Sequence, residues 1–330
     1  MLVMMIVLVV AQGCGGQDTP QTTVKPAAGV VPSDKAATAY SPEKIESKYL
    51  PNAFRLHANV ITGGQPDGDA AFAELEKLGV KTVISVDGAK PDLQLAHDHG
   101  LRYVHLPHGY DGVSEQRGLE LAKALRDLPG PIYIHCHHGK HRSPAAGAVA
   151  CVEIGLLSPA EGLAVLEAAG TSPNYRGLYR SVRAARRVDD QRLADVADNV
   201  PEVAELPPMA EAMVTIEHLH DHLKALAKED WKSNAGDPNQ MPAHEALLLK
   251  EQFVELARTD AAKQQPEAFG KLLAESETAA AQLESALAEP DSAERLVRAS
   301  AALEQINSRC AVCHKEFRDV PLDEKRAGPH

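Results

Sequence analysis

Short apolar runs alternate with amphipathic segments between residue 52 and about residue 193. Four of these runs have the length and composition of strands: VITGG (Val60–Gly64), KTVISV (81–86), LRYVHLP (101–107) and PIYIHC (131–136). The segments between and after them have helical periodicity. Because strands that alternate with helices usually form a parallel sheet covered by helices, this region predicts an α/β fold with a mostly parallel sheet.

A second pattern begins after VPEVAELPP at residues 200–208, where two prolines end a helical pattern. Four long amphipathic segments follow, at residues 209–231, 243–263, 266–289 and 291–317. Short breaks with glycine or proline separate them. Long helices joined by short connections favour an antiparallel arrangement, so this half predicts an all-α four-helix bundle.

The chain has 330 residues, enough for two domains. The patterns predict a leader at residues 1–14, a flexible linker at 15–42, the α/β domain at 43–198, a linker at 199–207 and the helical domain at 208–330. The net charge of −12 argues against general nucleic-acid binding. Five cysteines are too few for a disulfide scaffold, so each is considered for a separate role.

The leader MLVMMIVLVVAQGC opens with eleven apolar residues. This run is shorter than the ~20 residues of a spanning helix and fits a secretory signal. Its end, VVAQGC, resembles a bacterial lipoprotein signal, which implies lipidation of Cys14 and an exported protein anchored at the periplasmic side of a bacterial membrane. No Lys or Arg precedes the apolar run, a departure from such signals. An ordinary cleaved signal with an incidental cysteine is the alternative.

The segment HCHHGKHRSP places Cys136 at the end of an apolar strand and Arg142 six positions later. Ser143 suits the N-cap of the following helix, and Pro144 suits its first helical position. A loop between a strand end and a helix start directs backbone N–H groups and the positive helix dipole inward. Anions bind in such loops, and the same environment favours the thiolate form of a cysteine. The sequence therefore predicts a nucleophile inside an anion-binding loop.

This Cys-X5-Arg arrangement resembles the signature of cysteine-dependent protein tyrosine and dual-specificity phosphatases. The stretches FRLHANVITGGQP, LEKLGVKTVISV and HCHHGKHRS resemble the plant and fungal atypical dual-specificity phosphatases in particular. The resemblance implies that Cys136 forms a phosphocysteine, that Arg142 holds two phosphoryl oxygens, and that Ser143 helps the thiolate leave. The remaining loop residues would line the phosphate site, with Gly139 allowing the turn and Lys140 adding positive charge: His137, His138, Gly139, Lys140 and His141.

A general acid is required for the leaving oxygen, and Asp111 in PHGYDGVS is the first candidate. It follows a strand expected beside PIYIH. Asp87 and Asp92, which follow KTVISV, are weaker candidates. An ordinary turn aspartate is the alternative interpretation of Asp111.

Other interpretations of this region stay open. The crowded histidines could hold a metal, but zinc needs three or four converging ligands and these histidines fall on separate elements. A rhodanese-like sulfur carrier also ends a strand with a reactive cysteine. Cys151 is most simply a buried apolar residue, with a reversible disulfide to Cys136 as the alternative. Tyr175, Arg176 and Arg180 could contact an anionic substrate or simply form a solvated helix start.

The segment CAVCH contains Cys310, Cys313 and His314 in the C-x-x-C-H form of covalent c-type haem attachment. On a helix, positions i, i+3 and i+4 share a face, so two thiols can reach the porphyrin while the imidazole reaches iron. A chance match to the motif and half of a zinc site are the alternatives, and the absence of a second cysteine pair argues against zinc. The sequence therefore predicts haem c as a cofactor.

CAVCHKEFR resembles the C-terminal motif of cytochrome c′, a four-helix-bundle haem protein. The resemblance implies His314 as proximal iron ligand, with Arg318 near the haem edge. Met213 is the candidate for the other axial position, and Met209 is a further one. His218 and His222, which share a helix face, are alternatives to both.

The function expected from these resemblances is phosphoric monoester hydrolysis through a phosphocysteine, linked to a haem domain with a redox or sensing role. The partners would be a phosphoprotein or small phosphate ester, a redox partner and the membrane. The alternative is a non-enzymatic haem protein for electron transfer or gas binding, whose phosphatase-like domain only binds an anion. Control of phosphatase activity by the haem state is a third hypothesis.

Overall fold

The computed structural model describes residues 40–198, 200–232 and 241–326, without the side chain of Arg326. The predicted leader, the lipidation candidate Cys14 and most of the first linker lie outside these residues. Six strands form one sheet within the described ranges: β1 (Glu43–Lys44), β2 (Phe54–His57), β3 (Val60–Gly64), β4 (Thr82–Ser85), β5 (Arg102–His105) and β6 (Ile132–Cys136).

The strand order is β1-β2-β3-β6-β4-β5, so β6 lies in the middle between β3 and β4. The pairs β3–β6, β6–β4 and β4–β5 are parallel, whereas β1–β2 and β2–β3 are antiparallel. The sheet is therefore mixed, with three parallel pairs and two antiparallel ones. The structure corrects one expectation, because β5 lies beside β4 and not beside β6. The sequence pattern misses β1 and β2, which have only two and four residues. The two residues of β1 are exposed and carry no alternation.

In the part of the chain that the structure describes, seven helices accompany this sheet: α1 (Gly68–Lys77), α2 (Leu93–Asp98), α3 (Glu115–Asp127), α4 (Arg142–Glu153), α5 (Pro159–Ala168), α6 (Arg176–Ala184) and α7 (Asp190–Ala194). Successive strand residues belong to different cores. Ile132 and Ile134 pack with α3 to α6, while Tyr133 packs with α1 and α2. This alternation follows from the two-residue period of a strand and covers both faces of the sheet.

The C-terminal half is helical: α8 (Pro208–Lys228), α9 (Pro242–Arg258), α10 (Asp260–Lys263), α11 (Glu267–Leu287), α12 (Ala293–Cys313), a π-helical turn (His314–Arg318) and α13 (Leu322–Arg326). The four long helices α8, α9, α11 and α12 contribute to one hydrophobic core. That core also contains Trp231, which follows α8 and is buried. None of the helices in the described ranges is long and apolar enough to cross a membrane.

Two predicted helices differ from the structure in detail. The segment 243–263 is interrupted at Thr259, whose hydroxyl accepts a hydrogen bond from the Ala262 N–H and starts α10. The segment 291–317 stays α-helical only to Cys313 and continues as the π-helical turn. α13 is not predicted at all, because five mostly charged residues have no apolar period.

Candidate active site and haem motif

The anion loop, residues 137–141, connects the central strand β6 to α4. Cys136 is the last residue of β6, and Arg142 is the first of α4. Ligand sites in sheets of this kind form at the carboxyl ends of parallel strands, and here the loop follows the strand with parallel neighbours on both sides. The structure therefore places the predicted nucleophile at the centre of the parallel part of the sheet.

Gly139 turns the anion loop with φ +70°, a conformation that glycine adopts without a steric penalty. A Cβ atom at this position would lie 2.4 Å from the Gly64 backbone nitrogen. The loop is also joined to β3 by a bridge between Gly64 and His138. A side chain at position 139 is thus excluded both by the backbone angle and by the neighbouring strand.

The start of α4 differs from the prediction that Ser143 is the N-cap. His141 is the N-cap residue, and Ser143 and Pro144 lie in the first turn. The Ser143 hydroxyl has other partners: its Oγ lies 3.4 Å from the Cys136 Sγ and donates to the Gly63 carbonyl oxygen at 2.9 Å. A hydroxyl beside the sulfur is in the position that the phosphatase resemblance implies.

Arg142 is buried and forms an ion pair with buried Asp87, with Nη2 2.7 Å from Oδ2. The same carboxylate accepts hydrogen bonds from the backbone N–H groups of His137 and Ala89. Burial would raise the pKa of Asp87, but Arg142 and the two N–H groups lower it to about 2. Asp87 is therefore ionised near neutral pH, which makes it unsuitable as a general acid. It orients the arginine and the first residue of the loop instead.

The Arg142 Nε is also buried and has no hydrogen-bond partner among the described residues. A buried donor without a partner is costly unless a ligand satisfies it. Arg142 thus retains one donor for an anion while Asp87 holds its other side. The second weak acid candidate, Asp92, caps α2 by accepting a hydrogen bond from the Leu95 N–H, so its role is structural.

The predicted acid Asp111 lies in the loop between β5 and α3. Its neighbour Tyr110 places this loop beside the active site, because the Arg142 guanidinium lies 4.5 Å from the centre of the Tyr110 ring. The carboxylate itself is engaged elsewhere: the Lys325 Nζ lies 2.9 Å from the Asp111 Oδ2. The acid loop, residues 106–114, thus reaches the anion loop, while Lys325 of α13 holds the Asp111 carboxylate.

The other loop residues have different surroundings. Lys140 is exposed, and its carbonyl oxygen accepts a hydrogen bond from the Thr171 hydroxyl. The His141 ring lies 4.6 Å from the Tyr175 ring, and burial lowers the pKa of His141 to about 4. A neutral imidazole at this position adds packing to the loop but no charge at neutral pH.

A possible cation site involves the first two loop histidines and α8. The ligand atoms of His137, His138 and Asp221 lie within 4.8 Å of one another. Two imidazoles and a carboxylate are donors that zinc accepts. Lys224 forms an ion pair with the other oxygen of Asp221 and competes for this carboxylate. Sequence spacing does not reveal this group, because Asp221 comes from the helical half.

Cys151 lies on α4 and is completely buried in the core that packs against the sheet. Burial raises the pKa of its thiol to about 12. Cys136 and Cys151 are both free thiols. The packing role is therefore the one that the structure supports for Cys151.

The haem motif spans the end of α12 and the start of the π-helical turn. Cys310 and Cys313 are free, partly buried thiols that pack against the helical core together with Met209 and Met213. Burial lowers the pKa of the His314 imidazole to about 3. Two free thiols and a neutral imidazole are the donor set that covalent haem attachment requires, so the residues fit the group.

The candidates for the second iron ligand have different surroundings in the structure. Met209 and Met213 both belong to the margin of the core that includes the two motif cysteines. His222 instead lies 3.4 Å from the Glu245 carboxylate on α9, and His218 is exposed. His220, for which the sequence predicts no role, lies 2.6 Å from the Asn307 Oδ1 of α12.

No protein-family model matches the chain, and none of the curated proteins compared with it matches significantly. Among solved structures, TpbA of P. aeruginosa is similar, with 21% sequence identity and a TM-score of 0.40 over 47% of this chain and 95% of that one. A cysteine-to-serine variant of TpbA in complex with pTyr also has 21% identity and a TM-score of 0.40, over 49% of this chain and 99% of that one.

The core catalytic domain of the PP-IP phosphatase Siw14 from S. cerevisiae, in complex with citrate, is 16% identical with a TM-score of 0.38. That match covers 44% of this chain and 91% of the other. At such identities and TM-scores, these likenesses assign no activity to the chain.

Proposed function

We propose that the chain hydrolyses phosphoric monoesters through a phosphocysteine on Cys136. The observation that carries the proposal is the position of its sulfur, at the carboxyl end of the central strand and 3.4 Å from the Ser143 hydroxyl. Directly after this loop, Arg142 is fixed by Asp87 and retains a buried donor that has no partner among the described residues. The substrate class would be a phosphoprotein or a small phosphate ester.

In the first step, the Cys136 thiolate attacks phosphorus, the S–P bond forms, and the bond from phosphorus to the leaving oxygen breaks. Arg142 binds the equatorial oxygens and stabilises the charge of the transition state. Protonated Asp111 donates its proton to the leaving oxygen, which departs as an alcohol or phenol. The loop N–H groups and the α4 dipole favour the same negative charge.

In the second step, water attacks the phosphocysteine and the S–P bond breaks. The Asp111 carboxylate accepts a proton from that water, and inorganic phosphate is released. The Ser143 hydroxyl donates a hydrogen bond to the departing thiolate. Ser143 is also anchored to the Gly63 carbonyl oxygen in the ground state, so this step requires its hydrogen to turn toward the sulfur.

The ion pair between Asp111 and Lys325 has a direct consequence for this mechanism. The Lys325 ammonium group lies 2.9 Å from the Asp111 Oδ2, so this carboxyl oxygen already has a partner and does not face the anion loop freely. The structure thus corresponds to a state in which the acid is held away from catalysis. Asp111 has to part from Lys325 before it can protonate a leaving group.

We also propose that Cys310 and Cys313 attach a c-type haem covalently and that His314 is its proximal iron ligand. When bound, the haem would supply redox or gas-binding chemistry. Met213 is proposed for the distal position because it packs at the margin of the core shared with the two cysteines. The arrangement of the four long helices as a cytochrome c′-like bundle, and a redox partner, belong to the same proposal.

The proposed location is the periplasmic side of a bacterial membrane, with a lipid anchor at Cys14. It is supported by the leader pattern and by the proposed haem attachment, because c-type haem is attached outside the cytoplasm. Fractionation of cells that produce the chain with Cys14→Ser tests the anchor. Release of the variant from the membrane fraction is expected, and unchanged membrane association would contradict lipidation at this residue.

The phosphatase proposal is tested with Cys136→Ser and, as a matched control, Cys151→Ala. Hydrolysis of p-nitrophenyl phosphate should disappear in the first variant and persist in the second. Rapid acid quenching followed by peptide mass spectrometry should detect a phosphoryl group on Cys136 in the wild type. Undiminished turnover by Cys136→Ser would overturn the proposal. Phosphate binding without turnover in the wild type would favour the anion-binding alternative.

The haem proposal is tested by the absorption spectrum and mass of protein produced together with a c-type haem maturation system. A covalent haem adduct should form in the wild type and in Cys151→Ala. It should be lost when Cys310 and Cys313 are both replaced by alanine. A wild type that acquires no haem mass under these conditions would contradict the proposal.

A further inference from the structure

The C-terminal strap, residues 318–325, lies directly on the acid loop. The Arg318 guanidinium is 4.2 Å from the centre of the Tyr110 ring, which also contacts the Arg142 guanidinium. The Leu322 N–H donates to the Asp111 carbonyl oxygen at 3.1 Å. Lys325 binds the Asp111 carboxylate and also the Arg318 carbonyl oxygen, at 3.0 Å. The strap thus contacts both Tyr110, which lies against Arg142, and Asp111, the candidate general acid.

The strap also presents carboxylates to two arginines of α6. Glu324 accepts two hydrogen bonds from Arg176, each of 3.1 Å, in a bidentate arrangement. The Arg180 Nη1 lies 3.0 and 2.9 Å from the two oxygens of Asp323, and its Nη2 lies 2.6 Å from Glu324. Bidentate contacts between arginine and an anion are the geometry by which arginine recognises carboxylate and phosphate.

These arginines belong to the rim of the candidate active site. α6 starts directly after Tyr175, whose ring lies 4.8 Å from the Tyr110 ring and 4.6 Å from the His141 ring. A cleft of about 740 Å³ runs beside Arg180, and Asp111 and Asp323 are also among its lining residues. Its volume is within the usual range for small-ligand sites. An anion bound to Arg176 and Arg180 would therefore lie beside the acid loop.

We propose that Arg176 and Arg180 form a subsite for a second anionic group of the substrate, which the strap occupies in the structure as an intramolecular competitor. Asp323 and Glu324 take the place of carboxylate or phosphate groups next to the scissile phosphate. The inference deepens the proposed phosphatase function and rests on it. A substrate with an adjacent anionic group displaces the strap, and displacement also separates Lys325 from Asp111.

The strap contacts have the strength expected of a reversible competitor. The four charged side chains at the subsite are exposed to solvent to a substantial degree, and exposed ion pairs contribute little individually. Covalent linkage to the protein raises the effective concentration of the strap at the subsite. A substrate therefore has to supply only a few favourable contacts to replace it, whereas a substrate with one isolated phosphate gains nothing there.

The test uses two phosphotyrosine peptides that differ only in the two positions after phosphotyrosine, occupied by Asp-Asp or Asn-Asn. Fluorescence anisotropy gives the Kd of each labelled peptide on the Cys136→Ser protein, and kcat/KM is measured with Cys136 intact. The preference for the acidic peptide is the ratio of the Kd of the Asn-Asn peptide to that of the Asp-Asp peptide. Combining Asp323→Asn with Glu324→Gln should increase this ratio roughly threefold to tenfold. Adding Arg176→Ala and Arg180→Ala should abolish that preference.

The matched control removes two acidic charges from α11, by Glu267→Gln and Glu277→Gln. It should leave the peptide preference at the wild-type value. Equal affinity of the strap variant for both peptides, or an equal gain in the control, would overturn the subsite. Loss of turnover alone would instead contradict the phosphatase proposal, because the Kd measurement does not require catalysis.

Discussion

The anion loop and the C-terminal strap both hold charged residues at the candidate active site, but they do so in different ways. The Arg142–Asp87 pair is buried, and two backbone N–H groups also bind its carboxylate. The Lys325–Asp111 pair and the α6 pairs are at least partly exposed to solvent. Buried pairs are costly to break, whereas exposed pairs exchange readily with water and ions. The anion loop is therefore a fixed part of the candidate active site, whereas the C-terminal strap is held by contacts that can be exchanged.

The largest effect is expected from Asp111→Asn. The amide cannot donate an acidic proton to the leaving oxygen, so kcat should fall roughly 10²- to 10⁴-fold. The fall should be greatest for alkyl phosphates and smallest for p-nitrophenyl phosphate, whose leaving group departs without much help. Rates across a series of aryl phosphates give this dependence. Equal losses for good and poor leaving groups would assign the acid to another residue.

The second effect tests the buried side of the comparison. Asp87→Asn leaves the Arg142 charge buried and uncompensated, which should lower the free energy of unfolding by about 3–5 kcal/mol. Urea unfolding monitored by circular dichroism measures the change. Asp111→Asn is the control, because losing its pair with Lys325 should lower stability by less than about 1 kcal/mol. Similar losses of stability in both variants would remove the distinction between the anion loop and the C-terminal strap.

The same carboxylate predicts a pH dependence. The pKa of Asp87 is lowered from 3.8 to about 2 in the folded protein. Its contribution to stability is therefore complete above about pH 4 and is lost as the pH falls through about 2. The contribution amounts to roughly 2 kcal/mol. Unfolding free energies measured between pH 5 and pH 2 should decline more steeply in the wild type than in Asp87→Asn, and parallel declines would contradict this assignment.

A smaller effect is expected from Lys325→Met, which frees Asp111 from the strap. The kcat for an alkyl phosphate, whose poor leaving group depends on the acid, should rise about twofold to fivefold, the range that an exposed ion pair provides. Lys271→Met on α11 is the matched control and should change nothing. A reduced kcat in Lys325→Met would mean that the lysine supports the acid and does not restrain it.

The smallest effect is expected from salt. Raising NaCl from roughly 0.05 M to roughly 0.5 M screens exposed charges and leaves buried pairs largely unaffected. The wild-type kcat should therefore increase by no more than about twofold. The kcat of Lys325→Met should stay nearly constant over the same range. An identical salt response in the two proteins would show that the strap does not limit catalysis.

The sequence predicts the anion loop better than the C-terminal strap, because the residues that form the loop are adjacent in the chain. An apolar strand, a cysteine, a short loop with glycine and an arginine at a helix start follow one another within HCHHGKHR. Their periodicity and spacing define the strand, the turn and the anion site. The finer detail fails at Ser143, because its hydroxyl turns to the sulfur and to Gly63 instead of capping α4.

The C-terminal strap is positioned by contacts between residues that are distant in the chain. Lys325 and Asp111 are 214 positions apart, and α13 has only five residues. A short charged helix has no apolar face from which its docking position can be inferred. The prediction for Asp87 fails for a related reason. Its position after a strand is equally compatible with a general acid and with a residue that orients Arg142. Only its burial and its contact with Arg142 distinguish the two.

Trp231, buried in the helical core, is the one tryptophan of the chain. Its fluorescence therefore reports the integrity of the α-helical half and is blind to the sheet, whereas turnover reports the anion loop. Unfolding followed by both signals therefore monitors the two halves of the chain separately, without any added label. If emission changes while turnover persists, the helical half melts independently; a common midpoint indicates that the two halves unfold as one cooperative unit.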